Sequence, residues 1–277
     1  MISGYSNING IRMYYEIHGE GYPLVLLHGG GSTIQTTFGR IIPYLSKKRK
    51  LIAIELQAHG RAEDRDKQSS FEQDADDAAG LLRTLNIPKA DFMGFSNGGN
   101  GAMQAAIRHP ELVNKLIIVS SFYQREGLLP GFFEGMEQAS LDNMPADLKK
   151  AYLKEMTDFI SEDVSEKISR EQIENLAFKK LEAMFIRDKT RMLKFFDWKD
   201  EDLKWIKSPA LIIAGDRDVA TPEHTVKMHK LISNSRLAII PGIHGECLGE
   251  ITTLHSGKWK QEYIVNLIED FLDKDKI

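Results

Sequence analysis

Apolar and polar positions along the chain fall into two regimes. From about residue 8 to 120, short apolar runs alternate with helical patterns. PLVLLHG, KLIAIEL, ADFMGFS and KLIIVSS are apolar without clean alternation. Runs of that kind mark strands buried on both faces, as in a parallel sheet covered by helices. IRMYYEI (11–17) follows the turn Asn9-Gly10, which predicts a hairpin with the segment before it. Helical patterns around 35–46, 71–86 and 97–108 separate the strands at lengths that suit βαβ crossovers.

From about 122 to 204 the strand signal vanishes. ADLKKAYLKEMTDFI, REQIENLAFKKLEAMFI and DEDLKWI place charge on one helical face and Leu, Ile, Phe and Met on the other. The sheet pattern then resumes with ALIIAG (210–215) and RLAII (236–240), ahead of a final helix near 260–273. The expected fold class is α/β. A core domain of residues 1–121 and 205–277 is predicted to carry a helical cap, 122–204, inserted between two strands of one sheet.

Composition changes the picture only by exclusion. Over 277 residues the formal net charge is −4, which offers nothing to nucleic acid or to an anionic membrane. The run KKRK at 47–50 reads as a solvated turn. A single cysteine, Cys247, rules out an internal disulfide. No run approaches the roughly 18 apolar residues of a membrane span, and MISGYSNING has no secretory pattern. The expected setting is cytoplasmic, as a monomer or homodimer acting on a small molecule, with no nucleic acid and no membrane as partner.

Chemistry concentrates in GFSNGGNG (94–101), between a strand and the helix that begins beside it. A residue on such a sharp turn needs small neighbours two before and two after it, and Gly94 and Gly98 flank Ser96 in that way. The reading is a nucleophile, its competitor a serine that merely caps the helix. A serine needs a base and the base an orienting group. His244, in PGIHG just past RLAII, is placed at the sheet's C-terminal edge; His255 is a weaker rival. His18, His59 and His109 read as structural, and His224 and His229 as solvated. Asp218, in GDRD, lies far enough into its loop to turn back to His244. Asp216 is the alternative and suits tying down the turn, with Glu126 a more distant choice. For the oxyanion of acyl transfer, LVLLHGGGST offers the N–H of Gly30 or Gly31, and Asn97 offers a second donor. No dinucleotide or Walker pattern is present there. Glu246, Cys247, Glu250 and His255 match no compact zinc spacing, so neither metal nor cofactor is expected. Phe122, Phe132 and Phe133 are the predicted pocket residues, while most of Met136, Met184, Phe185, Phe195, Phe196 and Trp198 are expected to pack.

Together GFSNGG, the HGGG-like loop, GDRD ahead of PGIHG, and ELQAHGR resemble the α/β-hydrolase fold superfamily, in particular its compact members with a helical cap. The resemblance covers essentially the whole chain. It implies a mostly parallel eight-stranded sheet, Ser96 as nucleophile, His244 as proton shuttle, Asp218 as its orienting acid, and Gly30 with Asn97 as oxyanion donors. Many relatives carry a bulkier residue at the Gly30 position, and relatives often show D-x-x-G-x-G-x-S where this chain has ELQAHGRAE. Most also pass from the histidine loop directly into the last helix, where ECLGEITTLHSG (246–257) intervenes here. Ser96 excludes the branches with an aspartate nucleophile, and Phe95 with Asn97 does not fit the G-G-S-W-G of prolyl iminopeptidases. The implied activity is cleavage of a small ester-like substrate, of carboxylesterase or lactonase type. The alternatives are a carbon–carbon bond hydrolase, a thioesterase or a haloperoxidase-like perhydrolase using the same three residues.

Overall fold

The computed structural model describes residues 1–65, 67–163, 168–253 and 261–274. Eight strands form one sheet: β1 (Ile2–Ile8), β2 (Ile11–His18), β3 (Tyr22–Leu27), β4 (Arg49–Ile54), β5 (Ala90–Phe95), β6 (Val113–Val119), β7 (Ala210–Arg217) and β8 (Ser235–Ile243). Their order is β1-β2-β4-β3-β5-β6-β7-β8, with β1 and β2 antiparallel and the rest parallel. The hairpin at Asn9-Gly10 forms as expected, both turn residues taking positive φ.

Each central strand buries both faces, which is why its apolar run does not alternate. On β3, Val25 and Leu27 point into one core, and Leu24 and Leu26 into the other. The first core lies under α3 (Phe71–Thr84), α4 (Asn97–Arg108) and α9 (Pro222–Leu231). The second lies under α1 (Ile34–Phe38), α2 (Ile42–Leu45) and α10 (Gln261–Asp273). The expected helix over 35–46 is two short ones, because Pro43 removes a backbone donor and restarts the turn at the head of α2.

Between β6 and β7 the chain forms α5 (Phe132–Gln138), α6 (Ala146–Asp163), α7 (Arg170–Leu193) and α8 (Asp200–Lys204). Helices α6 and α7 pack on each other through Tyr152, Met156, Phe159, Ala177, Leu181 and Met184, a cluster of their own. The ends of the insertion belong instead to the sheet's core: Phe122, Tyr123, Phe195, Trp198 and Leu203 are buried there. Among the described residues no helix is long and apolar enough to cross a membrane.

Candidate active site

Ser96 joins β5 to α4 with φ 52° and ψ −121°, a conformation a non-glycine residue adopts only when its surroundings impose it. The surroundings are backbone. A Cβ on Gly94 would overlap the carbonyl of Gly98, and one on Gly98 would overlap the carbonyls of Leu27 and His28. The two flanking glycines therefore let α4 start against β3 and β5, with residue 96 raised at the strand's end.

His244 follows β8, and Asp218 follows β7. His244 Nδ1 lies 2.6 Å from Asp218 Oδ1, so Nδ1 carries the proton and Nε2 is left on the far side of the ring. The same carboxylate accepts from Ser120 Oγ at 2.5 Å and from the N–H of Gly215 and Ala220. Burial alone would raise the Asp218 pKa; the hydrogen bonds from His244 and Ser120 outweigh it and hold the acid below the ordinary carboxylate range. Asp216 instead accepts from the N–H of Gly242, tying the β8 end to the turn, and Glu126 is exposed beside Lys227.

Ser96 and His244 line one cavity of about 300 Å³, walled mainly by apolar side chains of the insertion. Among the described residues Ser96 Oγ makes no hydrogen bond; it turns about a single bond, and such contacts often tighten only around bound substrate. Gly30, Gly31 and Asn97 line the same cavity. Their N–H groups differ. That of Gly31 donates to Asp188, whereas those of Gly30 and Asn97 have no acceptor among the described residues.

Phe122 and Phe132 line the cavity. Phe133 does not: it turns away with its ring under the Arg125 guanidinium, 3.6 Å from the ring centre. Phe132 and Met136, one turn apart on α5, share the face that lines the cavity, and Phe133 points off it. Met184 and Phe185 also line it, while Phe195 and Trp198 pack on Phe71 and Phe196 is exposed. His224, expected in solvent, is buried, stacked on Tyr123 and accepting the Tyr123 N–H; burial pushes its pKa down to about 4. Cys247 is buried too, which lifts its thiol to about 12. Glu246 and Glu250 bind neighbours, Glu250 the Ser32 hydroxyl and Glu246 the Ile243 N–H, and His255 lies outside the described residues. Among the described residues no group of His, Cys, Asp or Glu could hold a metal ion.

Tyr152 and Asp188 are among the polar groups of the cavity that the sequence reading passed over. Tyr152, from α6, is buried in its wall. Asp188, from α7, reaches the loop after β3 and lies 2.6 Å from His59 Nε2, with Arg191 on its other oxygen. His59 faces two acceptors, since Nδ1 is 2.8 Å from the carbonyl of Gln57, so both ring nitrogens carry protons and the ring is a cation. Burial would lower its pKa; the Asp188 carboxylate outweighs that and raises it. The neighbouring His28 donates to one carbonyl, accepts the Leu56 N–H and is neutral, its pKa pushed down to about 3 by burial and by His59. Arg191 completes the set with Asp74 of α3 at 2.7 Å. A signal was present: Ala177, Leu181, Met184, Asp188 and Arg191 recur at helical spacing on the buried face of α7. Two opposite charges in an apolar stripe imply a buried ion pair rather than a solvated one.

The family model described as alpha/beta hydrolase fold matches residues 22–245. A 2-hydroxymuconate semialdehyde hydrolase of Pseudomonas sp. (strain CF600) is 37% identical over 116 residues, 40% of this chain and only 41% of that protein's length. Serine hydrolase BPHL of Homo sapiens is 28% identical over 243 residues, covering 84% of this chain and 77% of that one. The crystal structure of an enol-lactonase from Burkholderia xenovorans LB400 superposes with a TM-score of 0.72 at 19% identity, over 98% of this chain and all of that one, a likeness of fold.

Proposed function

Because the chain belongs to the alpha/beta hydrolase fold family, we propose that it is a serine hydrolase that cleaves a small, uncharged ester or lactone through an acyl-enzyme. The observation that carries the reading is His244, held through Nδ1 by Asp218 and sharing one cavity with the strained Ser96.

In this mechanism His244 Nε2 takes the Ser96 proton as Oγ attacks the carbonyl carbon. The N–H groups of Gly30 and Asn97 hold the oxyanion. The imidazolium then protonates the leaving oxygen, and a water activated by the same base releases the acid. Residues 122–204 act as a cap whose Phe122, Phe132, Met136 and Met184 receive the acyl group. A cavity of about 300 Å³ suits a small substrate.

The name of the Pseudomonas relative raises a second reading, hydrolysis of a carbon–carbon bond in an anionic dienoate. The charges of the cavity speak for the ester. The Arg191 guanidinium is taken up by Asp74 and Asp188, Asp188 is itself an anion, and the Lys189 ammonium is turned to the carbonyls of Glu137 and Ala139.

A panel of nitrophenyl esters, lactones, thioesters and a vinylogous diketone, run with wild type, Ser96→Ala and His244→Ala, tests both readings. Ester or lactone turnover should fall by at least ~10⁴-fold in either variant. Turnover by Ser96→Ala equal to wild type would end the serine-hydrolase reading; turnover confined to the diketone would replace the ester by the carbon–carbon bond.

A further inference from the structure

Neither the apolar pocket nor the three reacting residues account for Asp188. A carboxylate beside the place where an oxyanion forms is costly unless it is neutralised and has work to do there. Here it is neutralised. His59 and Arg191 supply two positive charges, and Asp188 with Asp74 supplies two negative ones. The carboxylate is also fixed: Gly31 N–H, His59 Nε2 and Arg191 Nη2 hold it, and the Asn97 side-chain amide lies 3.5 Å away. Glycine at position 30 follows from the same arrangement. A Cβ there would overlap the Asn97 amide and come within 3.4 Å of Asp188 Cγ. The loop thus has no side chain where the Asn97 amide of α4 lies, with the Asp188 carboxylate in contact just beyond it.

We propose that Asp188 is a positioning residue for acyl transfer: from the cap it holds the Gly30–Gly31 loop and the Asn97 amide so that the backbone N–H groups of Gly30 and Asn97 converge on the oxyanion. The inference rests on the serine-hydrolase reading. It makes the anion-stabilising loop complete only while α7 is seated, since the carboxylate belongs to α7, and His59, Gly31 and Asn97 belong to the core. Asp188 touches no reacting atom. It takes up the N–H of Gly31, which ties the loop to α7 on that side.

The test measures kcat, KM and the affinity for an alkylboronic acid, which forms an anionic tetrahedral adduct on a reactive serine. Asp188→Ala should lower kcat on a neutral nitrophenyl ester by about 100-fold and leave KM within about threefold. Boronate affinity should fall by the same factor as kcat, since both report the oxyanion geometry. Asp188→Asn keeps the shape and one acceptor but loses the ion pairs, and roughly a tenfold loss in both readouts is expected. It also serves if the alanine variant does not fold. Wild-type kcat and boronate affinity in a folded variant overturn the inference, as does a rise in KM alone, which marks a pocket wall. A raised kcat overturns it too, by making Asp188 a plug. Activity that depends on Ser96 but not on Asp188 sinks this inference alone; activity indifferent to Ser96 sinks the reading beneath it.

Discussion

Ser96 sits in backbone geometry that costs a non-glycine residue about 1–3 kcal/mol, and the packing of β5, α4 and β3 around it imposes that geometry. The flanking glycines are where it can be broken. Gly98→Ala drives a methyl into the carbonyls of Leu27 and His28, both backbone and unable to yield, so a loss of about 3 kcal/mol or more in urea denaturation is expected. A stable, fully active Gly98→Ala protein would contradict the close approach. Asp218 presents the opposite case, where stability and activity should separate. Asp218→Asn keeps its volume but favours the wrong His244 tautomer, and kcat should drop by about 10³–10⁴-fold while the protein stays folded. A drop of less than tenfold would make His244 independent of Asp218. The placement of Ser96 on the turn and of Asp218 in its loop was legible in the sequence, because a turn's sterics and a loop's position at a strand end are local. The side that Phe133 faces was not, since helical spacing tells which residues share a face but not which face meets the cavity.

Helix α6 meets the core at another acid. Thr33, the N-cap of α1, donates to Glu155 at 2.6 Å, while the other Glu155 oxygen is buried without a partner among the described residues. Burial outweighs the Thr33 hydrogen bond and the Arg61 charge and raises Glu155 from its ordinary 4.5 to about 7; it likewise lifts the neighbouring Glu55 to about 8. Both shifts run upwards, so the folded chain keeps protons that the unfolded chain releases above about 4.5, and stability falls as pH rises through that interval. The Glu155 contribution ends near pH 7 and that of Glu55 near pH 8. Denaturation midpoints at pH 5 and 8 check this. Glu155→Gln, which cannot ionise, should show a smaller fall than wild type; equal falls would mean that Glu155 titrates normally. Nothing in ADLKKAYLKEMTDFI sets this glutamate apart from its exposed neighbours, because its partners Thr33 and Arg61 lie about a hundred positions earlier.

Docking of the last helix depends on contacts with residues far earlier in the chain. Arg49, at the start of β4, is buried against Glu269 of α10 at 2.8 Å and also meets Asp273, while Lys115 Nζ donates to the last carbonyls of α10. Removing one partner leaves a buried charge unpaired. Arg49→Ala should lose about 3 kcal/mol in denaturation, with turnover below the transition within twofold of wild type. No loss would make the pair dispensable to the docking of α10.

How far each feature could be read from sequence follows from the range of the forces that make it. Apolar periodicity and glycine spacing act over a few residues, so the strands, the parallel core, the elbow at Ser96 and the loops bearing Asp218 and His244 were all predicted from the residues themselves. The sorting of partners depends on how helices dock, and docking joins positions remote in the chain. Asp188 reaches His59 and Gly31 across 129 and 157 residues. That contact, which takes up the N–H of Gly31, exists only once α7 is packed over the sheet. A charged pair in an apolar stripe announces that partners exist; the assembled core determines which ones they are.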